Sequence, residues 1–278
     1  MLGKAIKHEF KVTGRSFLPL YALVLITTPL LALLAKLFPV DLDSSLAASP
    51  LIFISVMSIV GYVALLVGVG VASFVLIIMR FYRSMTKESA YLTFMLPVKT
   101  SGLVFSKLLV AFVWQIASLV IITLSIGIYT FAWELWTFND LSKVWNLIKG
   151  ILDAPDAATR SQIILLLILY ILTMIVGCIT GILQVYVSIS LGQLANKHRL
   201  AASFGFYIAL YIVTQLISSI FLLPINLLAN TMETATDVGT ILNTQILIIV
   251  ISLAITLVYG IIYYIVTTYM FKKHLNLE

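Results

Sequence analysis

The chain predicts an all-α integral membrane protein with six transmembrane helices, and three observations carry that prediction. Hydrophobic residues make up 62% of its 278 positions and charged residues 10%, where a soluble domain carries about 25% charge. Six long apolar runs recur along it, each close to or above the roughly 20 residues a helix needs to cross a hydrocarbon core of about 30 Å. All 17 basic and 11 acidic side chains fall outside those runs. The lone cysteine, Cys178, lies inside one of them; it excludes a disulfide within the chain and reads as a small buried hydrophobe.

Residues 1–16 come first. On a helical wheel Leu2, Ala5, Ile6 and Phe10 share one face, while Lys4, Lys7, Lys11 and Arg15 form a stripe on another. This is a basic amphipathic helix suited to the headgroup level, with Lys4, Lys7, Phe10 and Lys11 as its membrane-interface residues. The apolar run behind it is too long for a signal-peptide core and lacks a small-residue cleavage site, so the helix is expected to stay uncleaved.

The runs follow at approximately 17–35, 51–79, 108–132, 163–192, 200–222 and 245–271. Pro19 and Pro29 fall in the first, where a proline is tolerated if neighbours satisfy the freed carbonyls. The second is long enough to tilt or project beyond the bilayer. Small residues recur four apart at Ala64, Gly68 and Ala72, at Gly177 and Gly181, and at Ala201, Gly205 and Ala209. That spacing lets helix backbones approach closely, and packing within the one chain is the expectation here.

The charges orient the runs. Segments 1–16, 80–107, 193–199 and 272–278 together hold thirteen Lys and Arg against three acids, while the remaining loops hold four against eight. The positive-inside rule then puts both termini and the 80–107 segment in the cytoplasm of a multi-pass protein of the cell membrane. The positive balance is thereby accounted for without nucleic acid. On the outer side, residues 133–162 carry Leu141, Val144, Trp145, Ile148 and Leu152 at helical spacing. They suit either an interfacial helix with belt tryptophans or a small folded flap. Residues 222–244 hold two short apolar pieces, with breaks expected at Pro224 and around 233–237. Between spans 5 and 6 they would form either a re-entrant segment or an ordinary loop.

Much chemistry is excluded. There is no G-x-x-x-x-G-K-[ST] phosphate loop, no H-E-x-x-H and no His/Cys cluster, and no histidine lies in a span to serve a nucleophile. Ser118, Thr123, Ser125, Thr173 and Thr180 therefore read as glue between helices. Ion-coupled carriers and pumps keep ionisable side chains in the bilayer as relays; these spans have none, leaving Gln115, Gln184, Gln215, hydroxyls and carbonyls. If the chain transports, the work is expected to enter from outside the membrane. The chain is expected not to be an enzyme and to bind no metal.

The candidate for that entry is residues 80–107, RFYRSMTKESAYLTFMLPVKTSGLVFSK, which on their own suit either a lever across the cytoplasmic mouth or a passive interfacial helix anchored by tyrosine. Ser84 can cap a short helix with Met85, Tyr91, Leu92 and Met95 on one side, and Pro97 stops it. Thr100 or Ser101 can cap the next span. The stretch Glu88-Ser89-Ala90-Tyr91-Leu92-Thr93-Phe94-Met95-Leu96-Pro97-Val98, with Ser106-Lys107-Leu108-Leu109 after it, resembles the first cytoplasmic loop of bacterial type-2 ABC exporter permeases. In those, an acidic residue, Y-L-T-x-x-L-P-V and S-K-L-L follow one another.

The resemblance implies one transmembrane permease domain over 1–278, paired with an identical or paralogous second permease and resting on two separate ATPase subunits that hold ATP and Mg. The segment 84–96 would be the coupling helix, with Lys87, Glu88, Tyr91, Leu92 and Thr93 docking on the ATPase. Asn196, Lys197, His198 and Arg199 would form a smaller second contact, and 1–16 the connecting helix against membrane lipid. The cargo would be a hydrophobic or amphipathic peptide, toxin or drug. A stand-alone carrier or channel, or a non-transport immunity or scaffold protein, is the alternative.

Overall fold

In a computed structural model the chain is described over residues 2–37, 50–86, 100–132, 142–143, 145–146, 149–150, 157–195, 198–232 and 238–273. Those residues form six long helices: α1 Leu2–Leu37, α2 Pro50–Thr86, α3 Thr100–Ala132, α4 Ala157–Gly192, α5 Arg199–Met232 and α6 Val238–Lys273. No strand occurs among the described residues. Each helix is long and apolar enough to cross a membrane, as befits a multi-pass membrane protein. Their length follows from the solvent: without water, backbone N–H and C=O groups must pair within the segment, and an unbroken helix does that.

The helices outrun the apolar runs that announce them. α1 has 36 residues, about 54 Å at 1.5 Å per residue. It absorbs residues 2–16 of the amphipathic segment into one continuous helix with the first span, and Pro19 and Pro29 do not interrupt it. α5 likewise runs through Pro224 to Met232, so the break expected at Pro224 is absent. The second short apolar piece is the start of α6. Residues 233–237, where the other break was placed, lie outside the described residues. Of the outer segment 133–162, residues 142–143, 145–146 and 149–150 are helical, with Trp145 exposed, and 157–162 are the start of α4.

The chain divides into two compact units, one of Gly3–Arg80 with Val113–Leu147, the other of Phe81–Phe112 with Ile148–Glu278 and Met1–Leu2. α2 and α3 thus each contribute to both. The first unit is held by aromatic and hydroxyl contacts. Phe17 is fully buried and stacks on Trp114 at 5.0 Å, and the Tyr21 hydroxyl donates to the Trp114 carbonyl at 3.0 Å. Further along, Tyr62 and Tyr129 stack at 3.8 Å with ring planes 1° apart. In the second unit α4 meets both α5 and α6. Thr180 donates to the Thr256 carbonyl at 3.2 Å, and Gly260 lies close beside the same threonine.

The α4–α5 corner is tight. Leu194 and Ala195 N–H groups donate to the Leu191 and Gly192 carbonyls, and His198 takes a left-handed φ of 57° before α5 begins. A Cβ at Gly192 would stand 2.0 Å from Ser203 Oγ and 2.8 Å from its Cα, so only glycine fits there. Gly192→Ala should therefore destabilise the protein by about 1–3 kcal/mol, the usual cost of overpacking. Gly127→Ala, where a Cβ meets nothing within 4 Å, should change little. Unfolding in mixed detergent micelles, followed by circular dichroism, measures both.

Candidate docking segment and its base

The proposed docking side chains Lys87, Glu88, Tyr91, Leu92 and Thr93 lie outside the described residues, as do Asn196 and Lys197. What is described is the base from which 87–99 springs, and it differs from the sequence expectation. Ser84 does not cap a new helix. α2 continues past it to Thr86; the Ser84 hydroxyl donates back to the Phe81 carbonyl at 3.2 Å, and Thr86 does the same to Tyr82 at 2.6 Å. The cause is burial. Met85 is fully buried and Ser84 and Thr86 nearly so, and a helix satisfies its own backbone while it buries that turn.

An aromatic core inside the second unit anchors this base. The Phe81 ring stacks on Tyr186 of α4 at 3.6 Å, 8° from parallel, and meets Phe271 of α6 edge-on at 5.8 Å. Tyr186, 1% exposed, is the largest fully buried side chain described, and its hydroxyl reaches the Lys107 carbonyl of α3 at 3.3 Å. Tyr264 of α6 donates to the Ser101 carbonyl at 3.0 Å, in the first turn of α3. Lys107 itself is only 6% exposed, beside buried Val104 and Ser106, and it has polar company. Both ends of the segment are thus fastened to α4 and α6. Sequence reasoning missed Phe81 and Tyr186; the signal was an aromatic at the first turn of an otherwise basic insert.

The remaining candidate residues are dispersed. Arg199 opens α5, its carbonyl accepting from the Ser203 hydroxyl at 2.9 Å, and its side chain is half-buried with partners of its own. Lys7 and Lys11 are exposed on α1, while Phe10 turns inward against Trp114, ring centroids 6.3 Å apart. The Lys4 side chain lies outside the described residues. Glu9 is drawn inward too: Arg80 donates to one of its oxygens through Nε at 3.0 Å and Nη2 at 2.8 Å.

Inside the spans, three of the five expected hydroxyls bridge helices. Ser118 meets the Tyr21 hydroxyl at 2.7 Å, Ser125 meets Thr28 at 2.8 Å and Tyr62 at 3.2 Å, and Thr180 reaches α6. Thr123 and Thr173 bond back to carbonyls of their own helices. Of the glutamines, Gln115 Oε1 and Gln184 Nε2 are buried with no partner among the described residues, and Gln215 donates to the neighbouring Tyr211 hydroxyl at 3.4 Å.

Comparison of the chain with family models, with curated proteins and with solved structures finds no match.

The anchoring of the segment can be tested by itself. Phe81→Leu and Tyr186→Leu, singly and together, should show a coupling of about 0.5–1.5 kcal/mol in a double-mutant cycle, as expected of a stacked aromatic pair. Ser125→Ala removes the partner of two hydroxyls on two other helices and should cost about 0.6–1.7 kcal/mol. Stability measured in bicelles by denaturing-detergent titration reads out both.

Proposed function

We propose that the chain is the permease subunit of an ATP-driven exporter, powered by a separate ATPase that docks on residues 84–96. One observation carries this reading: the apolar runs are free of ionisable side chains, while the only large basic insert between two of them has an acidic residue followed by Tyr91-Leu92-Thr93 and ends on Pro97. A carrier driven by ions would need charged relays inside the bilayer. A subunit driven from outside needs a segment that can be gripped.

The base of that segment supports the same reading. A docking element transmits displacement only if its ends are fixed to what must move. α2 ends at Thr86 on a buried turn, and α3 starts with two carbonyls taken by tyrosines of α4 and α6. An ATPase that draws closed on nucleotide would pull on this base and shift the balance between two arrangements of the helices, by as much as its affinity for the two differs. Glu88, Tyr91 and Leu92 are the central contacts, with Lys87 and Thr93 beside them and Asn196, Lys197 and Arg199 as a second, smaller one. Two permease copies, identical or paralogous, would share two ATPases in the cell membrane, termini cytoplasmic. A passage lined by aliphatic, aromatic and methionine side chains suits a hydrophobic or amphipathic cargo.

Affinity purification of the tagged chain from its native membrane should retain an ATPase. Glu88→Arg combined with Tyr91→Ala should weaken that association about tenfold or more and uncouple ATP hydrolysis from transport, with the helical spectrum unchanged. Solute movement by the reconstituted chain alone, down a gradient and without nucleotide, would refute the reading.

A further inference from the structure

We infer that one face of α1 is a binding site for anionic phospholipid, headgroup on its basic end and acyl chains along its apolar continuation. The inference stands whether or not the chain is a transporter. Lys7, Lys11 and Arg15 follow one another four residues apart and all three are exposed. The same stripe continues at helical spacing through Leu18, Leu25 and Leu33, which are 62%, 38% and 54% exposed. Cationic ladder and leucine face form one continuous strip because α1 does not break between them.

The height of the ladder fits a headgroup. Arg15 stands three residues before Leu18, so its guanidinium sits where apolar helix gives way to interface. Lys11 and Lys7 follow at steps of about 6 Å, and the whole ladder spans about 12 Å, little more than a Debye length. Arg15 and Lys11 can thus meet one phosphate together while Lys7 adds to the attraction. An acyl chain held under that phosphate runs directly onto Leu18 and Leu25.

Charge segregation makes the face selective. Glu9 is the only acid in the first forty residues, and it would dilute the field if it stood beside the lysines. It points the other way, 14% exposed, with Arg80 on its carboxylate. The outward strip therefore carries cations alone, and Phe10 and Phe17 hold the opposite side of the helix against Trp114. A zwitterionic headgroup brings its own cation to this strip, whereas an anionic one does not. Selection between the two is of the order expected for a basic residue near an anionic leaflet, about fivefold per engaged headgroup.

The test uses the full chain reconstituted in vesicles of equimolar phosphatidylcholine and phosphatidylglycerol, released for native mass spectrometry. Phosphatidylglycerol should be retained over phosphatidylcholine about fivefold. K7Q/K11Q/R15Q should bring that ratio close to one, and K272Q/K273Q, which removes the basic end of α6, should leave it unchanged. Should the triple variant not fold, K11Q and R15Q singly should each lower the ratio part of the way. Retention of wild-type selectivity by all of these variants would overturn the proposal. So would displacement of the lipid by inorganic phosphate at matched concentration, since that would mark a site for free anions.

Discussion

Helices that lie in hydrocarbon gain nothing by hiding apolar surface from their surroundings, because lipid tails are as apolar as leucine. That constraint governs what can hold these six together. Close stacking and hydrogen bonds that the lipid cannot replace must do what hydrophobic burial does in water. The contacts found are of that kind: Phe17 on Trp114 and Tyr62 on Tyr129 in one unit, Phe81 on Tyr186 in the other. Each unit has hydroxyl bridges as well, those of Ser118 and Ser125 in the first and that of Thr180 in the second. The exposed leucines and isoleucines of every span need no partner in such a solvent.

The same constraint explains which parts of the fold were legible in the sequence. Hydropathy and charge reveal six spans because the bilayer tolerates little else, and the structure has six helices that answer them. Local signals fared less well. Ser84 reads as a cap from its type and position, yet its helix goes on because Met85 and Thr86 are buried. Pro224 reads as a break, yet α5 passes through it; one missing N–H costs less than a bare end of backbone in lipid. Both errors come from rules learned in water, where an ended helix can turn to solvent.

Close approach between helices was the least legible feature. The spaced glycines Gly68, Gly177, Gly181 and Gly205 would each have room for a Cβ with no atom within 4 Å among the described residues. The described glycines that do meet a neighbour are Gly14 at Trp114, Gly61 at Leu31, Gly192 at Ser203 and Gly260 at Thr180. Spacing along one helix says which residues share a face; it is silent on what the opposite helix brings there. Trp114 and Ser203 supply that missing half, and neither belongs to a repeat.

For the docking segment, sequence and structure speak to different parts. The proposed docking residues Glu88, Tyr91 and Leu92 rest on their sequence pattern, while the helix ends on either side of them rest on described contacts. The mounting bears on function because of where polar groups are absent. With no Asp, Glu, His, Lys or Arg in the apolar runs, the proposed energy source would reach these helices through their ends. Among the described ends, those of α2 and α3 at the segment are fastened by a buried stack and by two tyrosine hydroxyls on main-chain carbonyls. The basic end of α1 instead presents its cations outward. On the proposed reading the ends of α2 and α3 would take the partner's pull, and at the proposed lipid site the basic end of α1 would hold to the membrane.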